Sequence, residues 1–392
     1  MSAVNRPEAE LLLLCARSRK DPGRAAQIRA LLRRDIDWPY LLQIAHENRM
    51  GQLLFWHLDT TCPEAVPKVA LDGLRSRFHK NAYRNLLRTG ELLKLLKLFE
   101  AYGIRPIPYK GPTLAASLYG NLALREFDDL DILVPEQDVL KAKELLVSVG
   151  YQPEHELSRA QEVAFLKYHG EQSFTRDDDK STVDLQWRIT EKFRSLPIDF
   201  EGLWGRLEPL SLHGDTVLTL PPEDLLPILC MHGSKHFWTR LAWICDIAEL
   251  IRVHEGINWE QVIERAGTLG SKRMLFLGLY LASDLLEAPL PTNVLHKVRV
   301  DPTVKALAEQ VRERPFNEPN RQLKAFEDFR YQIRLRERLG DKIRYLVLLV
   351  LIPHQADVMF LEVPALLRRV YYVLRPVRLA VKYGRRLLGT SR

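Results

Sequence analysis

The pattern of apolar and polar positions changes twice along the chain. Over residues 1–100, apolar side chains recur at helical spacing, as in Leu11 and Leu12 and again in Leu92 and Leu93, with few β-branched clusters between them. This spacing predicts an N-terminal helical domain over 1–100.

Between residues 101 and 220, short apolar runs alternate with helical segments. The expected elements are a strand over 104–109, a helix over 113–119, a strand over 130–134, a helix over 139–149, and strands over 171–175 and 181–187. The polar residues 176–180 between the last two strands are typical of a hairpin loop. This order predicts a small mixed sheet domain over 101–220.

Helical spacing returns after the run from Pro221 to Asp224, which is a strong signal for a helix start. We therefore expect a C-terminal helical domain over 221–392 that ends in a basic tail. The fold class predicted for the chain is α+β, a small mixed sheet domain flanked by N- and C-terminal helical domains.

Composition excludes several classes of protein. The chain has 392 residues, 46% of them hydrophobic and 27% charged, which argues against a disordered, collagen-like or disulfide-scaffold protein. Its four cysteines form no closely spaced pair, as suits a reducing compartment. No apolar run approaches the roughly 18–20 residues of a membrane span, and Leu11–Ala16 is too short for a signal peptide core. We expect a cytoplasmic protein without an integral membrane span.

A D-x-D motif lies at the strand expected over 130–134. Asp129 and Asp131 project to one face of a strand, whereas Leu130 and Ile132 project to the other. Two neighbouring carboxylates repel unless a cation lies between them, and Mg²⁺ binds one or two carboxylates together with water and phosphate oxygens. The pair predicts a Mg²⁺ (or Mn²⁺) site, with a solvated strand end as the alternative.

A third carboxylate, Asp184, lies in the strand expected over 181–187. If that strand pairs beside 130–134, Asp184 joins the other two carboxylates on the same face. Three clustered carboxylates can hold two metal ions about 3.5–4 Å apart, which stabilises the attacking and leaving oxygens of phosphoryl transfer. An edge-strand residue facing water is the alternative.

Several further motifs accompany the three aspartates. In chain order they are Lys110-Gly111-Pro112-Thr113-Leu114, Leu118-Tyr119-Gly120, Arg125-Glu126-Phe127-Asp128-Asp129-Leu130-Asp131, Val183-Asp184-Leu185-Gln186-Trp187, His232-Gly233-Ser234-Lys235-His236 and Leu241-Ala242-Trp243-Ile244-Cys245-Asp246-Ile247-Ala248. In these motifs the chain resembles the nucleotidyltransferase superfamily typified by DNA polymerase β and the antibiotic nucleotidyltransferases. More narrowly, it resembles bacterial nucleotidyltransferase family proteins.

The resemblance implies transfer of a nucleoside monophosphate from an NTP, with ATP favoured, to an unidentified hydroxyl, phosphate or protein side chain. By position, Asp129 and Asp131 would ligate both metal ions, and Asp184 would complete the site of the ion that activates the hydroxyl. Gly111 would let the backbone approach the triphosphate. Because Pro112 replaces the Ser or Gly usual in the wider superfamily, Lys110 and Arg125 are the expected phosphate contacts, with exposed loop charges as the alternative.

A second cluster, His232, Lys235 and His236, shares one helical face. We expect this face to close over the nucleotide or the acceptor, with Lys235 toward phosphate. Helix-packing histidines beside Trp238 and Trp243 are the main alternative. Zinc is disfavoured, because the H-E-x-x-H pattern and a nearby cysteine pair are both missing from the sequence.

Asp246 lies in an otherwise apolar helical run, where a carboxylate must find a partner or change its pKa. Two interpretations stay open. It is either the general base that takes the acceptor proton or a buried partner of Lys235 or Arg240.

The basic tail, residues 363–392, mixes Arg and Lys with Val, Leu and Tyr. It suits a packed helix with snorkelling cations, contact with an anionic membrane surface, or RNA binding. Two alternative functions stay open, a catalytically idle protein that senses nucleotide or scaffolds partners through its helical domains, and an RNA-modifying nucleotidyltransferase that uses the basic tail.

Overall fold

The computed structural model describes residues 3–176, 181–189, 200–317 and 325–352. The predicted hairpin loop after Arg176 and the basic tail therefore lie outside the described residues. Within the described ranges, no helix is both long and apolar enough to cross a membrane.

Helices make up most of the described chain. In order they are α1 (Pro7–Leu14), α2 (Pro22–Leu31), α3 (Trp38–Glu47), α4 (Gly51–Thr61), α5 (Lys68–Ala101), α6 (Pro112–Tyr119), α7 (Val139–Ser148), α8 (Arg159–Tyr168), α9 (Phe200–Trp204), α10 (Pro222–Lys235), α11 (Leu241–Val253), α12 (Trp259–Thr268), α13 (Lys272–Leu286), α14 (Thr292–Val300), α15 (Pro302–Val311), α16 (Arg314–Asn317), α17 (Ala325–Leu335) and α18 (Leu339–Leu351).

The strands are β1 (Ile107–Pro108), β2 (Asp129–Leu133), β3 (Gln152–Pro153), β4 (Glu171–Arg176), β5 (Ser181–Gln186), β6 (Glu208–Leu212) and β7 (Asp215–Thr219). Five of them form one sheet in the order β1-β2-β5-β4-β3, while β6 and β7 form a separate hairpin. Strand β4 runs antiparallel to both β3 and β5. The α+β class predicted from the sequence is confirmed.

Contacts group the chain into two compact units. The first comprises Met1–Leu95, Ile107–Leu130 and Phe200–Leu335, and the second comprises Leu96–Pro106, Asp131–Asp199 and Arg336–Arg392. Both units are discontinuous in sequence, and the boundary between them falls inside β2. The division into 1–100, 101–220 and 221–392 stays a prediction.

In the first unit, α10 packs against α11, α12 and α13. A Cβ at Gly233 would lie 2.3 Å from a ring carbon of Trp238, whose side chain is fully buried. Glycine at this position therefore lets the Trp238 ring pack directly on α10. This packing anchors the turn after α10, where Phe237 and Trp238 both have a positive φ.

In the second unit, β5 alternates between buried and less buried positions. Val183 and Leu185 are buried on one side, whereas Asp184 is partly exposed on the other. The alternation of apolar and polar residues that predicted strand β5 is thus also the alternation of its buried and less buried positions.

Helix α8 begins at a capping box in which Ser158 and Gln161 satisfy each other's backbone donors.

Candidate functional site

The two aspartates of the D-x-D motif lie in β2. Asp129 is partly exposed and Asp131 is 6% exposed. Their spacing of two positions places them on the same side of the strand. The side-chain amide of Gln186 donates a hydrogen bond of 2.9 Å to Oδ1 of Asp131.

Asp184 lies on the same face of the sheet as Asp131. Strand β5 neighbours β2, and Gln186, which reaches Asp131, is two positions from Asp184 in β5. Across the β4–β5 pair, the Ser173 hydroxyl donates a 2.6 Å hydrogen bond to Oδ1 of Asp184. Each carboxylate, Asp131 and Asp184, thus accepts a hydrogen bond from a neutral side chain on a neighbouring strand.

The carboxylates of β2 and β5 are hard oxygen ligands of the kind that a divalent cation prefers. In the part of the chain that the structure describes, no group of three or more His, Cys, Asp or Glu side chains is placed to hold one metal ion. Mg²⁺ needs only one or two carboxylates when phosphate and water supply its other oxygens. Asp129 and Asp131 fit that chemistry, while the three-carboxylate site with Asp184 stays a prediction.

The loop that precedes α6 lies against the start of β2. Gly111 has φ +52° and ψ −121°, a conformation that strongly favours glycine. A Cβ at this position would lie 3.2 Å from the backbone oxygen of Asp129 and 3.7 Å from Cδ2 of Phe127. Glycine therefore lets the loop approach the backbone of the first aspartate.

Thr113 closes this loop. Its hydroxyl donates a 2.7 Å hydrogen bond to the carbonyl of Lys110, and its backbone N–H bonds to the same oxygen at 3.1 Å. The hydroxyl is therefore used within the loop. This leaves backbone groups and the Lys110 ammonium as the loop's means of contacting a phosphate.

Replacing Gly111 by alanine is expected to lower the free energy of unfolding by about 1–3 kcal/mol, because the positive φ is strained for alanine and the backbone oxygen of Asp129 cannot easily move. Urea denaturation measures the change. Gly73→Ala is the matched control, since Gly73 lies inside α5 with open space around it, and there alanine should stabilise by about 0.5–1 kcal/mol. Equal stability of Gly111→Ala and wild type would contradict this assignment.

Aromatic rings gather at the end of α10. The ring centroids of His232 and His236 are 4.7 Å apart, and each lies within 5.4 Å of the Trp243 ring. The guanidinium of Arg240 lies 5.4 Å from the same Trp243 ring. Contacts between rings are expected both for histidines that pack the helix and for histidines that face a ligand, so both interpretations of His232 and His236 stay open. The guanidinium of Arg240 adds a cation to this group of rings.

The residues predicted to bind nucleotide converge around His232. Desolvation lowers the pKa of His232 well below its ordinary value, and the positive charges of Lys110, His236, Lys235 and Arg125 lower it further. The imidazole of His232 is consequently neutral at pH 7. These five residues, which all belong to the first unit, are called the His232 cluster: the ring of His236 contacts that of His232, and the other three residues act on His232 through their charges.

The partners of Asp246 are Arg125 and Tyr119 rather than Lys235 or Arg240. The Arg125 guanidinium donates to Oδ1 and Oδ2 of Asp246, both at 2.9 Å, and the Tyr119 hydroxyl donates to Oδ1 at 2.7 Å. Burial and then the charge of Asp246 raise the pKa of Tyr119 well above its usual value. These contacts favour the buried-partner interpretation, and a role for Asp246 as general base stays a prediction.

Two arginines that the sequence analysis did not identify lie at the start of β2. Arg49 forms an ion pair of 2.7 Å with Asp128, and Arg88 donates a 2.7 Å hydrogen bond to the carbonyl of Phe127. The charge of Asp129 acts on Arg88 and also on Arg125 and Arg240. The carboxylate of Asp129 thus lies within the electrostatic reach of three guanidinium groups.

Helix α5 holds the segment leading into β2. The buried amide of Asn85 donates to the carbonyl of Arg125 at 2.7 Å, and that of Asn81 donates to the carbonyl of Ala123 at 3.2 Å. With Arg88, these residues follow an i, i+4, i+7 spacing on one helix face. That polar stripe in a helix was a signal the sequence analysis did not use.

Comparisons with known proteins address the family. The model of a family described as uncharacterised nucleotidyltransferase matches residues 34–287. A comparison with curated proteins gives no match.

Three solved structures are similar, each covering about half of this chain. They are a lincosamide antibiotic adenylyltransferase, LnuA, bound to lincomycin (16% identity, 42% of this chain, 96% of that one, TM-score 0.28), the antibiotic-resistance factor ANT(2'')-Ia (14%, 47%, 91%, 0.33) and an antigenic nucleotidyltransferase-like protein from Paracoccidioides brasiliensis (14%, 54%, 96%, 0.30). TM-scores this low carry no weight for the function of this chain.

The family match includes the Gly111 loop, the D-x-D motif and the His232 cluster, and it spans more than half of the sequence. The resemblance stated from the sequence motifs is confirmed. The chain belongs to the uncharacterised nucleotidyltransferase family.

Proposed function

We propose that this protein is a Mg²⁺- or Mn²⁺-dependent enzyme that transfers a nucleoside monophosphate from an NTP, ATP in the first instance, to an acceptor oxygen. One observation carries the proposal. The Gly111 loop lies against the backbone oxygen of Asp129, the first residue of β2. The loop expected to bind the triphosphate is therefore next to the strand that carries the expected metal ligands.

In this proposal, Asp129 and Asp131 hold the metal ion, which neutralises charge on the departing pyrophosphate and activates the acceptor. The acceptor oxygen bonds to the α-phosphorus, the bond to the β-phosphate bridge oxygen breaks, pyrophosphate leaves, and the acceptor proton passes to solvent. Lys110 and Lys235, whose charges both act on His232, supply positive potential for the triphosphate.

The partly exposed rings of His236 and Trp243 offer a stacking surface to the base. Arg125 has a different task. Asp246 holds its guanidinium through two hydrogen bonds, so the cation keeps a fixed position beside the cluster.

The test is incubation of the purified protein and cell extract with each α-³²P-labelled NTP, in the presence of Mg²⁺, Mn²⁺ or a chelator. We expect label to reach an acceptor with at least one NTP and either metal ion, and to fall to background with the chelator, because a triphosphate and two carboxylates cannot approach without a bridging cation. The γ-³²P-labelled form of the same NTP is the control and should leave no label on the acceptor. Transfer that persists in chelator would refute metal dependence, and absence of transfer with all four NTPs would refute the proposed function.

A further inference from the structure

A cavity of about 410 Å³ lies in the first unit, where α3, α4 and α5 meet the segment that leads into β2. Leu42 and Ala45 of α3 and Leu74 of α5 provide its apolar lining, and these side chains belong to the buried core or its margin. Its volume suits a small organic molecule.

One wall of the cavity is cationic. Arg77, Lys80 and Arg84 line it from α5, where spacings of three and four residues place them on one helical stripe. All three side chains are exposed, and within the described ranges no ion pair joins any of them to an acidic group. Their charges are therefore available to a ligand anion.

A second wall of the cavity is the first turn of α4. Gln52, at the second position of α4, lines the cavity but is only 4% exposed, and its Oε1 is inaccessible to solvent and therefore does not face the cavity. Gly51 and Gln52 also open α4, so the positive end of that helix dipole is at this wall.

The cavity is adjacent to the start of β2. Glu126, three residues before Asp129, is one of its lining residues. Arg49, which lies between the lining residues His46 and Gly51, forms the ion pair with Asp128. A molecule bound in the cavity would therefore lie beside the segment that carries the D-x-D motif.

We infer that this cavity is the acceptor pocket, and that its ligand is a small organic anion. The phosphate or carboxylate of this ligand contacts Lys80 and Arg84, and its apolar or aromatic body packs on Leu42 and Leu74. Binding of such an anion stands by itself, and only its identity as the acceptor rests on the proposed function.

Phenyl phosphate is the probe, titrated by calorimetry into the whole protein without nucleotide. We expect Lys80→Gln/Arg84→Gln to weaken its binding at least about tenfold, because two charge-assisted contacts are lost. Lys94→Gln, at an exposed lysine of α5 that does not line the cavity, is the matched control and should bind like wild type.

The substituted cations are exposed, so folding of these variants is expected to be unchanged and is checked by urea denaturation. The pocket assignment is overturned if phenyl phosphate does not bind, or if Lys110→Gln weakens its binding while Lys80→Gln/Arg84→Gln does not, since the anion would then occupy the nucleotide cluster. Anion binding that depends on Lys80 and Arg84 in a protein that transfers no label would retain the binding site and refute the transferase. If the protein transfers label but Lys80→Gln/Arg84→Gln binds phenyl phosphate like wild type, the transferase activity is retained and the proposed binding site is refuted.

Discussion

Replacing Asp129 or Asp131 by asparagine should reduce nucleotidyl transfer at least about 100-fold, the typical cost of removing one preorganised electrostatic contact to the transition state. Asparagine keeps the size of aspartate but removes the negative charge that attracts a divalent cation. In Asp131→Asn the side-chain oxygen can still accept the hydrogen bond from Gln186. We therefore expect a large loss of rate with little loss of stability, measured by single-turnover transfer of labelled NMP and by urea denaturation.

Asp184→Asn separates the two-carboxylate site from the three-carboxylate site. A comparable loss of rate would support the prediction that Asp184 completes the metal site, whereas a change of a few fold would restrict the metal ligands to β2. Asp72→Asn, at an exposed position of α5, is the control for removal of a carboxylate. A folded Asp129→Asn or Asp131→Asn protein with the wild-type rate would disprove the metal role of that residue.

Replacing Asp246 by alanine should lower the free energy of unfolding by about 3–5 kcal/mol, because it leaves the Arg125 guanidinium buried without its counter-ion. The Tyr119 hydroxyl would lose its acceptor as well. Burial lowers the pKa of Arg125, but the charge and the hydrogen bonds of Asp246, with smaller contributions from Tyr119 and Asp129, together raise it above its ordinary value. Chemical denaturation measures the loss.

Two comparisons make this result specific. Asp72→Ala breaks an exposed ion pair with Arg75 and should cost no more than about 1 kcal/mol. The double variant Arg125→Met/Asp246→Leu removes both charges and should recover much of the stability lost in Asp246→Ala. If Asp246→Ala were as stable as wild type but inactive, the residue would serve the chemistry, as the general-base interpretation predicts.

Elements with a clear local period were predictable from the sequence. The strand expected over 130–134 is β2 at Asp129–Leu133, and the one expected over 181–187 is β5 at Ser181–Gln186. The helix expected over 113–119 begins one residue earlier, at Pro112. These elements are short, and their signals, alternation in strands and Gly or Pro at helix ends, lie within the elements themselves.

The partners of charged residues were less predictable. Lys235 and Arg240 were the cations considered for Asp246, yet its partner Arg125 is 121 positions away in sequence. Cations near a carboxylate in sequence and cations far from it are chemically equivalent candidates until the packing of helices decides which one reaches it. The same holds for the cations of α5, which line a cavity only because α3, α4 and α5 pack together.

Periodicity alone was enough to predict the α+β class and the placement of Asp129 and Asp131 on one strand, because each depends on residues close together in the chain, and the family was recognised from the resemblance of several motifs along the sequence. Packing alone decided that Arg125 serves Asp246, that α5 holds the segment before β2, and that a cationic cavity lies beside it. Such contacts join residues tens to more than a hundred positions apart, and their geometry follows from how whole helices pack, which no local pattern encodes.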